Sequence, residues 1–220
     1  MTTGRDTGRM LRCGGSLRLL CRSCNERPVN ARIAGAESRG GKPAKSGRFQ
    51  AVIHVCSITS VDKTVAAAGA SHLVTLLAAG TGFTRPAAIE PDNHLCLWVN
   101  DIAEMQAGLV APGRAHVERL VAFGRAWDRK RPLAVNCFAG ISRSTAAAYI
   151  LAAALSPGRD EAELAWTLRL LSPSATPNPA LVRHADAILG RQGRMVAAIR
   201  AIGRGEDAYE GVPFILPLAG

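Results

Sequence analysis

The stretch that decides the fold is PLAVNCFAGISRSTAAAYILAAAL, residues 132–155. Its first four residues are apolar and predict a short buried strand, and the alanine-rich part that ends near Leu155 predicts a helix. Between them lies a tight loop in which five residues separate Cys137 from Arg143, and Ser144 follows directly. The stretch therefore predicts a strand that leads through a tight loop into a helix.

The rest of the chain continues this alternation of strands and helices. An alternation of this kind implies right-handed crossovers and a mostly parallel sheet that is covered on both faces. We therefore predict an α/β fold with a mostly parallel central sheet of four to five strands flanked by helices. The other predicted strands are AVIHVCS from Ala51, HLVTLLA from His72 and HLCLWV from His94, and the other predicted helices are VDKTVAAAG, RAHVERLVAFGRAWDRK, EAELAWTLRLL, ALVRHADAILG and RMVAAIRAIG.

The net charge of +10 belongs mainly to the first part of the 220-residue chain. Residues 1–50 hold 11 Lys+Arg and 3 Asp+Glu, whereas residues 51–220 hold 16 and 14. We predict a basic, disordered leader over residues 1–48, a folded domain over 49–205 and an extended surface tail over 206–220. The leader is interpreted as a disordered or fortuitously translated segment, and the alternative is a basic arm that binds nucleic acid or acidic lipid.

Composition excludes several classes of protein. The longest apolar run, from Thr145, has 11 residues, short of the roughly 20 that a membrane-spanning helix needs. No apolar stretch typical of a secretory signal follows the first charges. Cys21 and Cys24 form a CxxC with Cys13 upstream, but a zinc site needs about four ligands and the leader has no histidine. We expect no metal, no cofactor, no membrane partner and a cytoplasmic location.

The loop between Cys137 and Arg143 has the chemistry of an anion site. The helix that begins at Arg143 presents free N–H groups and a partial positive charge, and the preceding loop can turn its N–H groups inward. Gly140 allows the backbone to curl, and the Arg143 guanidinium matches two phosphate oxygens. The same field favours the thiolate of Cys137, which could attack a bound phosphate in line. Ser144 could donate its hydroxyl to the sulfur when that sulfur leaves.

With these residues, the chain resembles the cysteine-dependent protein tyrosine and dual-specificity phosphatases, and most closely the small bacterial tyrosine-phosphatase-like proteins. The resemblance covers roughly residues 51–200 and implies that 49–205 is a phosphatase-like catalytic domain. It implies Cys137 as nucleophile, Arg143 and Ser144 as catalytic partners, and a phosphocysteine intermediate. The implied phosphate-binding residues are Phe138, Ala139, Gly140, Ile141, Ser142 and Arg143.

The resemblance also implies an aspartate that protonates the leaving oxygen. Asp101 fits, because it opens the loop after the HLCLWV strand and lies 36 residues before Cys137. Glu104 is the rival acid on the same loop, whereas Asp92 would lie at the wrong end of a sheet whose sites are at the carboxyl ends of its strands. An ordinary turn or cap aspartate is the alternative for Asp101.

Two asparagines are candidates of a different kind. The family usually has histidine directly before the cysteine, and this chain has Asn136, which carries no charge; activity is then reduced, or Asn136 substitutes structurally. Asn178 either orients the attacking water or caps the next helix. Arg85 is a further candidate but is interpreted as a solvated loop residue. His184 and Asp186 are interpreted as polar-face or structural residues, and Trp98 and Trp166 as core or partly core aromatics.

Three functions compete for this pattern. The first is a phosphomonoester hydrolase that acts on phosphotyrosine protein or on a small phosphomonoester, without a metal. The second is a phosphate-binding or phosphoprotein-binding module of the same fold that turns over little or nothing. The third is a rhodanese-like sulfur carrier, which Ser144 and Asp101 argue against. Nucleic acid is expected as a partner only through the leader.

Overall fold

The structure is a computed structural model that describes residues 51–218. The predicted leader, its CxxC and the last two residues of the predicted tail lie outside the described residues. Five strands and six helices follow one another in the described part, with a short 3₁₀ turn at Pro91–Asn93. The strands are β1 Val52–Ser57, β2 His72–Leu77, β3 His94–Trp98, β4 Leu133–Cys137 and β5 Phe214–Pro217; the helices are α1 Val61–Ala68, α2 Arg114–Ala126, α3 Arg143–Leu155, α4 Glu161–Leu171, α5 Pro179–Ile188 and α6 Arg194–Ile202.

The five strands form one sheet in the order β3-β2-β4-β1-β5. β1 and β2 both pair in parallel with β4, and β2 also pairs in parallel with β3. Every residue of β4 is buried, because this strand lies at the centre of the sheet with neighbours on both edges. The predicted mostly parallel sheet flanked by helices is confirmed.

The sequence predicted that the C-terminal segment is an extended tail on the surface, and the structure differs from this prediction. Phe214–Pro217 is extended, as expected, but it forms β5, which pairs antiparallel with β1. Leu216 is fully buried and Phe214 nearly so, so alternate side chains of this strand belong to the core. Burial of one such leucine contributes about 1.5–3 kcal/mol to stability. The segment is therefore an edge strand of the sheet.

Helices cover the two faces of the sheet unequally. α1 packs on one face, with Val61 and Val65 against Leu73 and Ala134 of the strands. The other face carries the larger core, in which α3 is buried along nearly its whole length. The alanines of α3 allow the close approach of the sheet and the neighbouring helices, because small side chains keep packed backbones near one another. This packing places the start of α3 behind the end of β4.

The tryptophans predicted as core or partly core residues are each about half exposed, Trp98 by 44% and Trp166 by 50%. Trp98 ends the edge strand β3, and Trp166 lies on the outer side of α4, so neither is enclosed by a second layer. Among the helices of the described part, none is long and apolar enough to cross a membrane.

Candidate active site

Cys137 is the last residue of the central strand β4, and α3 begins six residues later. The thiol is buried, with 1% of the residue exposed. Its Sγ lies 3.1 Å from Ser144 Oγ and accepts a hydrogen bond from the Gly140 N–H at 3.2 Å. The loop therefore curls over the sulfur and presents the Gly140 N–H to it.

Gly140 meets two separate requirements of this curl. Its φ is +75°, in the left-handed region where glycine carries no steric penalty. A Cβ at this position would lie 3.0 Å from the carbonyl carbon of Cys56 and 3.0 Å from the nitrogen of Ser57. The loop thus packs against the end of β1 so closely that a side chain does not fit.

Backbone N–H groups from other parts of the chain donate hydrogen bonds to the carbonyl oxygens of the loop. Ile58 N donates to Phe138 O at 3.2 Å, and Gly211 N donates to Ala139 O at 2.8 Å. Two later residues act in the same way, since Thr176 N donates to Ile141 O at 3.0 Å and Asn178 N donates to Ser142 O at 3.3 Å. The C=O and the N–H of one peptide point in opposite directions. Because these carbonyl oxygens are bound by residues outside the loop, the N–H groups of the same peptides face the inside of the loop.

Arg143 stands at the start of α3 beside this loop. It is 7% exposed, and its Nη1 donates to Val99 O at 2.8 Å, just beyond the end of β3. The Nε lies 3.8 Å from Asp101 Oδ2 and has no hydrogen-bond partner among the described residues. The guanidinium is therefore held at one corner, and its remaining N–H groups can bind the oxygens of an anion.

Asp101 lies at the rim of the loop, with 38% of its side chain exposed. Its Oδ1 accepts hydrogen bonds from Ser142 Oγ at 2.7 Å and from Asn178 Nδ2 at 2.9 Å. The carboxyl is thus tied to the loop, although it lies 36 residues before Cys137 in the sequence. The rival Glu104 is exposed, and Asp92 lies in the turn before β3, at the opposite end of the sheet.

Asn178 caps the next helix, which is one of the two roles that the sequence left open for it, and it also contacts Asp101. Its Oδ1 accepts from Ala180 N and Leu181 N at 3.0 and 3.1 Å and so caps α5. Its Nδ2 donates to Asp101, and the residue is 2% exposed. Whether it contacts an attacking water stays a prediction.

Asn136, directly before the cysteine, points to the other face of the sheet and is fully buried. Its Oδ1 accepts a hydrogen bond from Thr75 Oγ1 at 2.7 Å, whereas its Nδ2 is buried with no partner in the described part of the chain. The amide therefore forms one link and has a free donor.

The six phosphate-binding candidates of the loop lie together around Cys137, and a later segment that the sequence did not indicate helps to hold them. Gly211, just before β5, contacts the loop so closely that a Cβ would lie 2.9 Å from Gly140 O. The neighbouring Glu210 accepts hydrogen bonds from the hydroxyls of Ser57 and Thr59 at the end of β1, which lower the pKa of its carboxyl. No local pattern marks these residues, because their partners are some 70 to 150 positions away.

The other candidates lie away from this loop. Arg85 donates to Ile89 O within its own loop. Asp186 accepts from the N–H groups of Gly193 and Met195 at 2.6 and 2.8 Å and so caps α6, in keeping with its interpretation as structural. Within residues 51–218, no cluster of three or more His, Cys, Asp or Glu side chains could hold a metal ion.

Solved structures share this architecture. DUSP15 matches with a TM-score of 0.52 and 16% identity, covering 70% of this chain and 92% of that one. A single-residue variant of human DUSP28 matches with a TM-score of 0.50 and 20% identity, covering 64% and 92%. PTP-2 phosphatase of Cydia pomonella matches with a TM-score of 0.50 and 16% identity, covering 64% and 87%. No model of a protein family and no curated protein matches the chain. At these identities the likeness is one of fold.

Proposed function

We propose that this chain, which has the fold of the cysteine-dependent tyrosine and dual-specificity phosphatases, hydrolyses phosphomonoesters through a phosphocysteine on Cys137. One observation carries the proposal: a buried Sγ lies under a loop whose carbonyls are bound outward, between the Gly140 N–H and the Ser144 hydroxyl. A loop of this kind binds a phosphate through its N–H groups. The sulfur is then directly beneath the phosphorus.

The first chemical step forms the S–P bond and breaks the P–O bond of the ester. The Cys137 thiolate attacks phosphorus while Arg143 and the loop N–H groups bind the equatorial oxygens, whose charge they stabilise. Asp101 at the rim gives its proton to the leaving oxygen. The second step reverses these roles, since Asp101 takes a proton from water and water attacks phosphorus. The S–P bond then breaks, and the Ser144 hydroxyl donates to the departing sulfur.

The surroundings of the loop favour an aryl phosphate as substrate. Arg143 is the one cation between positions 137 and 143, so this segment adds no further charge for a polyphosphorylated ligand. Phe138 on the loop is an apolar side chain that is 61% exposed. An apolar side chain beside an anion site fits an aromatic ring better than a sugar phosphate. A phosphotyrosine protein and a small aryl phosphomonoester both meet this description.

Hydrolysis of two aryl phosphates in the presence of EDTA tests the proposal. With para-nitrophenyl phosphate, whose leaving group is good, Cys137→Ser abolishes turnover. Asp101→Asn lowers kcat by about 100-fold with phenyl phosphate, whose leaving group is poor, because general acid catalysis contributes on that order. The loss with para-nitrophenyl phosphate is smaller.

Asp92→Asn is the matched control, because this aspartate lies at the opposite end of the sheet, and its kcat should equal that of the wild type. Turnover by Cys137→Ser, or equal losses for the two aspartate variants, would refute the assigned roles.

A second candidate is a phosphate-binding module with little turnover. The observation that favours it is Asn136, a neutral residue whose buried Nδ2 has no partner among the described residues. The family that the chain resembles usually has histidine at this position. This reading predicts that the wild type binds orthovanadate without hydrolysing either aryl phosphate, and that Asn136→His raises turnover. Hydrolysis by the wild type that depends on Cys137 would exclude it.

A further inference from the structure

The α4–α5 connection, residues 172–178, reaches the candidate active site although it contains neither helix nor strand. Thr176 N and Asn178 N donate to two carbonyl oxygens of the loop between β4 and α3, and the Asn178 side chain donates to Asp101. Because no regular ladder of hydrogen bonds fixes this connection, its position depends on the groups of other elements that bind it. Those groups therefore contribute to the position of Asp101.

Arg169, near the end of α4, binds this connection and the end of α6 together. Its Nη2 donates to Ala175 O at 2.9 Å and to Gly203 O at 2.8 Å, and its Nη1 donates to Ile202 O at 2.8 Å. A longer contact of 3.4 Å joins Nη1 to Arg204 O. The planar fork of donors in a guanidinium thus spans two segments that α5 and α6 separate in the sequence.

The residues that follow α6 also contact the connection directly. Gly205 N donates to Thr176 Oγ1 at 3.0 Å, and Glu206 N donates to Pro173 O at 2.9 Å. A Cβ at Gly205 would lie 2.5 Å from the carbonyl carbon of Ser174, so the two backbones are packed against each other. The guanidinium on α4 therefore binds both partners of this contact.

The acceptors that bind Arg169 are all backbone carbonyl oxygens, which distinguishes it from Arg191. Both side chains have a buried Nε without a hydrogen-bond partner in the described part of the chain, and both donate to backbone carbonyls. Arg191 also forms an ion pair with the buried carboxylate of Glu161 at 3.1 Å. The contacts of Arg169 thus hold backbone segments together, whereas those of Arg191 also balance a buried charge.

We propose that Arg169 is a positioning residue for Asp101 and for the loop between β4 and α3, on which it acts through the α4–α5 connection. The proposal rests on the proposed function for the role of Asp101 as general acid. Without the fork, Ala175 and the end of α6 separate, and Asn178 moves with the connection. Asp101 then loses the donor at 2.9 Å, and Ser142 O loses the Asn178 N–H. A misplaced acid transfers its proton more slowly.

Hydrolysis of the two aryl phosphates by Arg169→Lys tests this role, because lysine keeps the positive charge and removes the fork. We expect kcat to fall by about tenfold with phenyl phosphate, and by less than about threefold with para-nitrophenyl phosphate, whose leaving group needs little help from an acid. A general loss of structure would lower both rates equally. In an Asp101→Asn background, Arg169→Lys should cause less than about twofold further loss with phenyl phosphate, because the acid that it positions is already absent.

Arg191→Lys is the matched control. It removes the same fork from a side chain that is 12% exposed, and its hydrogen-bond partners lie outside the α4–α5 connection. It should lose stability in chemical denaturation and keep both rates.

Thr176→Val tests the same link from the side of the connection, since it removes the acceptor of Gly205 N with little change of shape. It replaces Arg169→Lys if that variant does not fold, and the same difference between the two substrates is expected. Calorimetry with orthovanadate on the full chain adds a measurement that needs no turnover. The affinity should fall by at least about threefold in Arg169→Lys or Thr176→Val and stay unchanged in Arg191→Lys.

Equal rate changes with the two aryl phosphates in the folded variant would overturn the proposal, and so would an unchanged affinity for orthovanadate. If the wild type hydrolyses neither ester, the proposed hydrolase is refuted. A lower affinity in Arg169→Lys, but not in Arg191→Lys, would then still support the positioning of the loop by Arg169.

Discussion

Two buried cysteines on neighbouring strands have different surroundings. Cys56 on β1 faces α1, and burial raises the pKa of its thiol to about 12. Cys137 belongs to the opposite core and accepts a hydrogen bond from the Gly140 N–H of the loop after β4. Cys56 therefore remains a protonated thiol at neutral pH and is a poor candidate for a nucleophile.

At the residue scale, Gly140→Ala tests the packing of the loop most sharply. The added Cβ meets β1 at 3.0 Å and the φ of +75° becomes strained, so we expect a loss of about 1–3 kcal/mol in unfolding free energy. We also expect orthovanadate to inhibit at least about tenfold less well, which corresponds to 1.4 kcal/mol of binding. Chemical denaturation and inhibition of aryl phosphate hydrolysis give the two values.

Gly80→Ala is the matched control for Gly140→Ala. Its φ of +81° imposes the same backbone strain, but nothing lies within 4 Å of the added Cβ. It should lose stability and keep its affinity for orthovanadate. Equal affinities in the two variants would show that the contact between the loop and β1 does not shape the anion site.

At the element scale, the segment before β5 packs behind the loop from Cys137 to Arg143. Gly211 N holds Ala139 O at 2.8 Å, and Glu210 ties the same segment to the hydroxyls at the end of β1. The sequence predicted a domain that ends at residue 205, and nothing between 206 and 213 has a periodic apolar pattern. This contribution could not be predicted, because a backbone hydrogen bond between distant segments leaves no mark on residue type.

Gly211→Ala tests this contribution. The φ of Gly211 is not positive, so the only cost is the Cβ, which would lie 2.9 Å from Gly140 O and displace the loop. We expect kcat/KM for aryl phosphates to fall by about tenfold or more, since misplacement of a reacting group by about 1 Å has effects of that order. The neighbouring Val212→Ala, at a side chain that is 80% exposed, should leave kcat/KM unchanged. If the two variants had equal kcat/KM, the segment before β5 would make no contribution to the site.

The predictable elements share one physical feature, which is a local signal. β1 to β4 are short apolar runs, and α1 ends just before Gly69, whose φ of +60° suits a helix C-cap. The loop from Cys137 to Arg143 spans seven residues between a strand and a helix, so its place in the fold could also be predicted from the sequence. The hydrogen bonds from Ser142 and Asn178 that bring Asp101 to the rim span 41 and 77 positions, and such contacts need the fold.

At the scale of the whole molecule, the sheet brings distant residues to one edge. β3 and β4 end at the same edge of the sheet, and this places Asp101 beside the loop that begins at Cys137. β5 pairs with β1 and is the last strand on the other side of the sheet. Sites of open parallel sheets lie at the carboxyl ends of the strands for this reason. The antiparallel β5 was not expected there, because its four residues resemble a surface tail until their partner strand is known.

The central claim is that phosphate passes through a covalent bond to Cys137. Rapid quenching during hydrolysis of para-nitrophenyl phosphate, followed by peptide mass spectrometry, tests it most directly, and Ser144→Ala should raise the trapped fraction because the departing sulfur loses the donor at 3.1 Å. The account predicts phosphate on Cys137 in the wild type, more of it in Ser144→Ala and none in Cys137→Ser. Steady hydrolysis with no phosphate on Cys137 in either of the first two proteins would contradict it.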